Sequence, residues 1–169
     1  ERANSALVLV DDNRVLIVGG EPPMGSAPYA TAELFSIDQR KGRELPLTCP
    51  RRSPIAIRLH DGRILIAGGG TRAAELFDPE TNMTSHLAPM SVERTAADAA
   101  LLGDGRVVVI GGLMKPGPAV AEVYDPARDV WSKLAGPPLA DAAMAQLDAT
   151  RFLRRRREGL LDFFDRILH

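Results

Sequence analysis

The side chains able to do chemistry are few and scattered. His60, His86 and His169 fall in a turn, an outer strand and the C-terminus, and no His-x-His or Cys-x-x-Cys spacing gathers ligands as a metal requires. Cys49, the single cysteine, lies between Thr48 and Pro50 with no local base, and it excludes an internal disulfide framework. Ser53 and Ser91 lack the Gly-x-Ser-x-Gly frame that exposes a nucleophilic serine. Glu33, Glu75 and Glu122 are different, because each recurs inside the same short motif. A catalytic site is singular, so recurring carboxylates read as structural. They are expected to pair with turn amides, or with Arg14, Arg63 and Arg106 in a neighbouring strand. The expectation is a chain that is not an enzyme, with no catalytic, metal or cofactor residues.

The elements that carry these residues repeat. Asp12-Asn-Arg-Val-Leu-Ile-Val-Gly-Gly20, Asp61-Gly-Arg-Ile-Leu-Ile-Ala-Gly-Gly69 and Asp104-Gly-Arg-Val-Val-Val-Ile-Gly-Gly112 are three versions of one pattern. Each is a polar turn, a short apolar strand and a glycine pair. A second element follows each: Thr31-Ala-Glu-Leu-Phe35, Arg72-Ala-Ala-Glu-Leu-Phe-Asp-Pro79 and Val120-Ala-Glu-Val-Tyr-Asp-Pro126. The glycine pairs begin 49 and 43 residues apart, a period that marks a repeat architecture. Glycine there permits positive φ or close backbone approach. None of the three pairs leads into Gly-Lys-Ser/Thr or a helical pattern, so none is a phosphate loop.

Each unit reads as four short strands, in the third near 94–102, 106–110, 119–124 and 130–134. The second is apolar throughout, as a strand buried on both faces must be. Asp125-Pro126 ends the third, and the fourth is an outer edge carrying Trp131. The units are expected near 5–47, 53–87 and 94–134, with residues 141–147 as the inner strand of a further one, in a body of residues 1–150.

These motifs resemble the Kelch family, in its bacterial form with a DGRVLIxGG strand, an AELFDP strand and a tryptophan-bearing outer element. The resemblance covers roughly residues 5–147 and implies an all-β fold. That fold is three four-stranded antiparallel β-propeller blades plus a partial fourth. Trp131 matches the family's outer tryptophan, and Thr84 stands at the same offset in the second unit. Arg51 and Arg94 match the family's inner-strand arginine, while Ile55 and Asp98 stand where its histidine would be. The family includes copper radical oxidases of galactose-oxidase type, which need a cysteine-crosslinked tyrosine and further ligands. Tyr29 and Tyr124, the only tyrosines, form no such set, so the resemblance implies the fold and not that chemistry.

After Asp141-Ala-Ala-Met-Ala-Gln-Leu147 the pattern breaks, and no fourth glycine pair follows. An open set of blades exposes sheet faces that ask for a partner. Two copies could complete one ring, or a different chain could supply the remainder. An assembly could shield an open arc, or a four-bladed ring could close with a degenerate last blade. Residues 5–10 could also complete a blade begun at 141–147. Residues 151–169 change period: Leu160, Phe163, Phe164, Ile167 and Leu168 recur at helical spacing behind the basic run Arg154, Arg155, Arg156 and Arg157. This predicts a C-terminal amphipathic helix. It suits a cap on the open blade edge, docking in a partner's groove, or contact with an anionic membrane surface.

Composition sets the remaining bounds. With 45% hydrophobic and 25% charged residues the body is not a disordered type, and a net charge of -1 gives no global pull on nucleic acid. No apolar run reaches the length of a membrane-spanning helix, and no signal-peptide pattern is seen in the chain as it begins at Glu1. The family resemblance tilts the compartment toward the cell envelope or exterior. The expected function is a non-catalytic interaction or structural subunit that docks a protein partner or a second copy. The contacts expected are strand-connecting loops with Pro23, Met24, Tyr29, Met114 and Lys115, the outer Trp131, and the tail residues Arg154 to Arg157, Leu160, Phe163, Phe164 and Ile167. The alternative is a glycan-binding module or the remnant of a secreted galactose-oxidase-like enzyme.

Overall fold

The computed structural model describes residues 2–23, 26–112 and 121–134. Met24, Met114, Lys115, the inner strand expected at 141–147 and the whole 151–169 tail lie outside the described residues. The described chain is all-β, in three four-stranded antiparallel sheets. The first blade is β1 (Ala6–Leu9), β2 (Arg14–Val18), β3 (Thr31–Ser36) and β4 (Lys41–Pro46). The second is β5 (Pro54–Arg58), β6 (Ile64–Gly68), β7 (Ala74–Asp78) and β8 (Met83–Leu87). The third is β9 (Asp98–Leu101), β10 (Val107–Ile110), β11 (Ala121–Asp125) and β12 (Val130–Leu134).

Within each blade consecutive strands are neighbours, so every connection is a local hairpin. β1 pairs with β2, Leu7 opposite Ile17 and Leu9 opposite Val15. The first strand is therefore part of its own blade among the described residues. β9 starts at Asp98 rather than Arg94, because Arg94 is fully buried before the strand and Ala96 takes a φ of 52°. Asn4 and Ser53 take the same left-handed conformation at the matching places (φ 53° and 47°). These residues also join the blades at the inner end: Ser53 donates its N–H to the Asn4 carbonyl, and Ala96 donates to Ser53.

Strand alternation gives every blade two apolar faces. Leu16, Val18 and Ala32 of the first blade pack on Ile64, Ile66 and Phe77 of the second. Leu65, Ala67, Ala74 and Leu76, on the second blade's other face, pack on Val107, Val109 and Tyr124 of the third. We call the face turned toward the preceding blade the leading face and the opposite one the trailing face. Each internal junction thus joins a trailing face to a leading face. A large aromatic (Phe77 or Tyr124) and two β-branched residues form the leading partner in each case.

The second glycine of each pair lies hard against its own blade's entry segment. A Cβ on Gly69 would stand 2.7 Å from the Cβ of Arg51, and one on Gly112 would stand 2.5 Å from the Thr95 carbonyl oxygen. Both have positive φ, 87° and 61°, so packing and conformation together require glycine there.

Candidate interaction surface

Each blade is pinned by an arginine that enters just before the inner strand. Arg51 donates from Nη1 to the carbonyls of Gly68 (2.6 Å) and Ala73 (3.0 Å), and from Nε and Nη2 to Glu75 Oε1 (3.1 and 2.5 Å). Arg94 does the same with the Gly111 carbonyl and Glu122 Oε2, at 3.3 Å from Nε and 3.0 Å from Nη2. Both arginines and both glutamates are fully buried. In the first blade the matching residue is Arg2, which donates to the carbonyls of Gly19 and Thr31, each at 3.1 Å. In all three the arginine stands 17 residues before the glycine carbonyl it caps. The glutamate partners are therefore Arg2, Arg51 and Arg94, not Arg14, Arg63 and Arg106. Arg2 went unrecognised in the sequence because its glutamate is farther along the chain than in the other blades; the constant offset to the glycine pair was the available signal.

The buried glutamates also receive an amide from the preceding blade. Thr48 N–H donates to Glu75 Oε2 (3.0 Å) and Ser91 N–H to Glu122 Oε1 (2.7 Å). Thr48 follows β4 and Ser91 follows β8, so the outer-strand exit of one blade satisfies the glutamate of the next. Glu33 projects from the leading face of the first blade, and no preceding blade stands among the described residues. Its contact is the Arg2 guanidinium at 3.8 Å, and its side chain is 34% exposed against 0% for Glu75.

Arg14, Arg63 and Arg106 belong instead to the turns of the lower rim. Asp61 Oδ1 accepts the Arg63 N–H (3.0 Å) while Oδ2 takes its Nε (2.8 Å); Asp104 and Arg106 repeat this at 3.0 and 2.6 Å. In the first blade Asp11, not the aligned Asp12, does this work, accepting from Arg14 N–H at 2.8 Å and Nε at 2.7 Å. The Arg63 side-chain bond, helped by its backbone N–H, holds the Asp61 carboxyl below the usual carboxylate range. Desolvation pushes Asp104 up, but the Arg106 backbone N–H and guanidinium together outweigh it and leave that carboxyl lowered. Between the second and third blades these turns border a cleft of about 320 Å³ with His60, Asp125 and Pro126. Both of its arginines are already matched by aspartates, so it offers little unbalanced charge to a ligand.

The two ends of the arc differ. On the leading face of the first blade Leu7 is 66% and Leu9 61% exposed, and Val15, Ile17 and Phe35 are only half-buried. The matching residues of the inner blades are Ile64, Ile66 and Phe77, all at 0%. On the trailing face of the third blade Val108, Ile110, Ala121 and Val123 form a separate buried cluster.

Of the expected contact residues, Pro23 is exposed on the loop after β2. Tyr29 lies at the end of that loop with the Arg2 guanidinium 4.4 Å above its ring. Trp131 is half-buried: its indole N–H donates to the Ala88 carbonyl of the second blade (2.8 Å) and its ring lies 4.9 Å from that of Tyr124. Thr84 makes the corresponding bond to the Pro46 carbonyl (3.4 Å), so equal offset means equal position. The Tyr124 hydroxyl donates to Asp129 (3.0 Å), and burial followed by that carboxylate raises its pKa. Tyr29 stands on the upper rim of the first blade and Tyr124 near the lower rim of the third. Among the described residues no three His, Cys, Asp or Glu side chains are grouped to hold a metal ion. The donors among the described residues do not fit a tyrosine-ligated copper centre.

Comparison with known proteins agrees with this architecture. Residues 99–138 match the Kelch motif. An F-box/kelch-repeat protein of Arabidopsis thaliana is 27% identical over 140 residues, which span 76% of this chain and 34% of that protein. The fold is similar to that of a fungal alcohol oxidase of the AA5 family solved with copper. The TM-score is 0.67 at 23% identity, over 86% of this chain and 34% of the oxidase. The chain thus spans about a third of the length of each.

Proposed function

We propose that this Kelch-repeat chain is a non-catalytic interaction scaffold that docks a protein partner on the leading face of its first blade. The supporting observation is the mismatch between Val15, Ile17 and Phe35, half-exposed, and their fully buried equivalents Ile64, Ile66 and Phe77. Those positions are built for burial against another blade. Glu33 adds polar specificity, since its equivalents take a backbone N–H from the neighbouring blade. A partner that fits offers an apolar sheet face with a strand-exit N–H beside it. The loop after β2, with exposed Pro23 and with Tyr29 at its end, belongs to the same blade and would widen the contact. The Arabidopsis protein's description as an F-box/kelch-repeat protein is consistent with an interaction role.

The test is co-purification from the cell of origin. Leu7→Lys/Leu9→Lys alters two side chains that are mostly solvent-exposed, so the fold should persist with unchanged circular dichroism. The reading requires loss of a stoichiometric protein partner in this variant and its retention in Met83→Lys, an exposed site on β8. Equal recovery with both variants would refute it.

A further inference from the structure

The outer half of the first blade's leading face departs from its two counterparts. In the second and third blades the cross-strand neighbour of the leading-face aromatic carries a donor: Thr84 stands opposite Phe77, and Trp131 opposite Tyr124. Each donates to a carbonyl at the strand exit of the preceding blade, Pro46 or Ala88. Opposite Phe35 stands Gly42, which has no side chain to make that bond or to cover the ring. A Cβ there would run into Glu33 Oε1, so the Glu33 carboxylate leans over the glycine. Where the inner blades present a donor, the first presents an acceptor.

Charge departs at the same place. Glu75 is opposed across the ladder by His86, and Glu122 by Lys133. Glu33 is opposed by a second carboxylate, Glu44, whose side chain is 68% exposed. Like charges directly opposite repel. Among the described residues Arg2 is the one cation paired with both, at 3.8 Å from Glu33 and 3.5 Å from Glu44. Glu75, by contrast, gives one oxygen to the Arg51 guanidinium and the other to the Thr48 N–H. The 3.8 Å contact of Glu33 is beyond hydrogen-bond reach.

We infer that the partner docked on this face anchors itself with an arginine, laid over the Phe35 ring beside Gly42 and paired with Glu33 and Glu44. The inference rests on the docking reading above and names the chemistry of that partner. A planar guanidinium stacks on an aromatic face, and its fork of N–H donors engages two carboxylates better than an ammonium point charge does. It supplies the positive charge that these two carboxylates share too little of. It fills one oxygen of Glu33 and leaves the other for a strand-exit N–H, the division seen at Glu75. Leu7, Leu9, Val15 and Ile17 lie on the same face and receive the apolar side chains that flank the arginine.

Random peptides displayed on phage and selected against the full chain test this. Enriched peptides should share an arginine with apolar residues on both sides. Replacing that arginine by citrulline keeps its shape and removes its charge, and should weaken binding of the synthetic peptide about tenfold. Glu33→Gln/Glu44→Gln should weaken the arginine peptide by a similar factor and leave the citrulline peptide unaffected, a coupling that a merely structural role of the glutamates would not produce. Gly42→Thr, which places the second blade's own residue in the slot, should block the arginine peptide with circular dichroism unchanged. Enriched peptides without a cation, arginine and citrulline peptides bound alike, or no enrichment at all would overturn the inference. A peptide lost in Leu7→Lys/Leu9→Lys but not in Glu33→Gln/Glu44→Gln would leave the docking face standing and remove the arginine from it, so the two readings can fail separately.

Discussion

The guanidinium of Arg51 and the carboxylate of Glu75 meet at 2.5 Å with neither side chain exposed to solvent. The pair is a hub rather than an isolated ion pair. Arg51 closes two carbonyls of its own blade, while Glu75 takes the Thr48 N–H from the blade before it. Removing either partner strands a buried charge and several backbone groups. Arg51→Ala and Glu75→Ala should each cost about 3–5 kcal/mol. The double variant should cost less than the sum, and urea unfolding of the four proteins of the cycle measures the coupling. Arg51→Lys keeps the charge but not the planar fork, and should recover only part of the loss.

Trp131 is the chain's only tryptophan and reports on the junction between the second and third blades. Trp131→Phe retains a ring beside Tyr124 but loses the 2.8 Å bond to Ala88. A loss of about 1 kcal/mol is expected in denaturant unfolding. Wild-type tryptophan emission should shift to the red in the same transition that reports loss of β-structure.

Gly112 and Gly103 form a paired test of backbone constraint. Gly112 has φ +61° and its added Cβ would meet the Thr95 carbonyl at 2.5 Å, whereas Gly103 has neither restriction among the described residues. Gly112→Ala should lower stability by at least about 1–2 kcal/mol from conformation alone. Gly103→Ala should be neutral or slightly stabilising. Thermal unfolding of the two variants separates them.

The lower-rim aspartates contribute to the acid limb of stability. Asp61 and Asp104 are both lowered below the ordinary value of 3.8 by Arg63 and Arg106. Depressed carboxyl pKa values contribute stability that is fully present above that ordinary value and is lost as pH falls through the lowered ones. The melting temperature should therefore fall below about pH 4. Asp61→Asn/Asp104→Asn should flatten that fall, as melting curves at stepped pH would show.

Much of the fold was legible because repetition multiplies weak signals. One Asp-Gly turn or one Gly-Gly says little, but three ordered copies with their Ala-Glu partner strands fixed the blades, including the equivalence of Thr84 with Trp131. Local spacing was less reliable for side-chain partners. Arg63 lies close to Glu75 in the blade motif, yet it is claimed by Asp61 two residues earlier, because an aspartate at a turn takes both the N–H and the Nε of one residue. Glu75 is met by Arg51, from the segment leading into β5. Asp11 displaced Asp12 for a related reason: the first turn has no Asp-Gly pair, and a longer reach to Arg14 satisfies both N–H groups of Asn13 and Arg14. The open leading face could be expected from the missing blades. Which of its side chains would be exposed required the register of Leu7 on Ile17 and Leu9 on Val15.

The central claim is that the leading face of the first blade is the docking surface, and crosslinking from Leu9 in the cell of origin tests it most directly. With a photo-reactive residue at Leu9, the account predicts one defined polypeptide adduct, absent when the same residue is placed at Met83. It also predicts that Ile17→Asp abolishes the adduct while leaving the blade folded. Identical adduct patterns from Leu9 and Met83, or an adduct that survives Ile17→Asp, would contradict it.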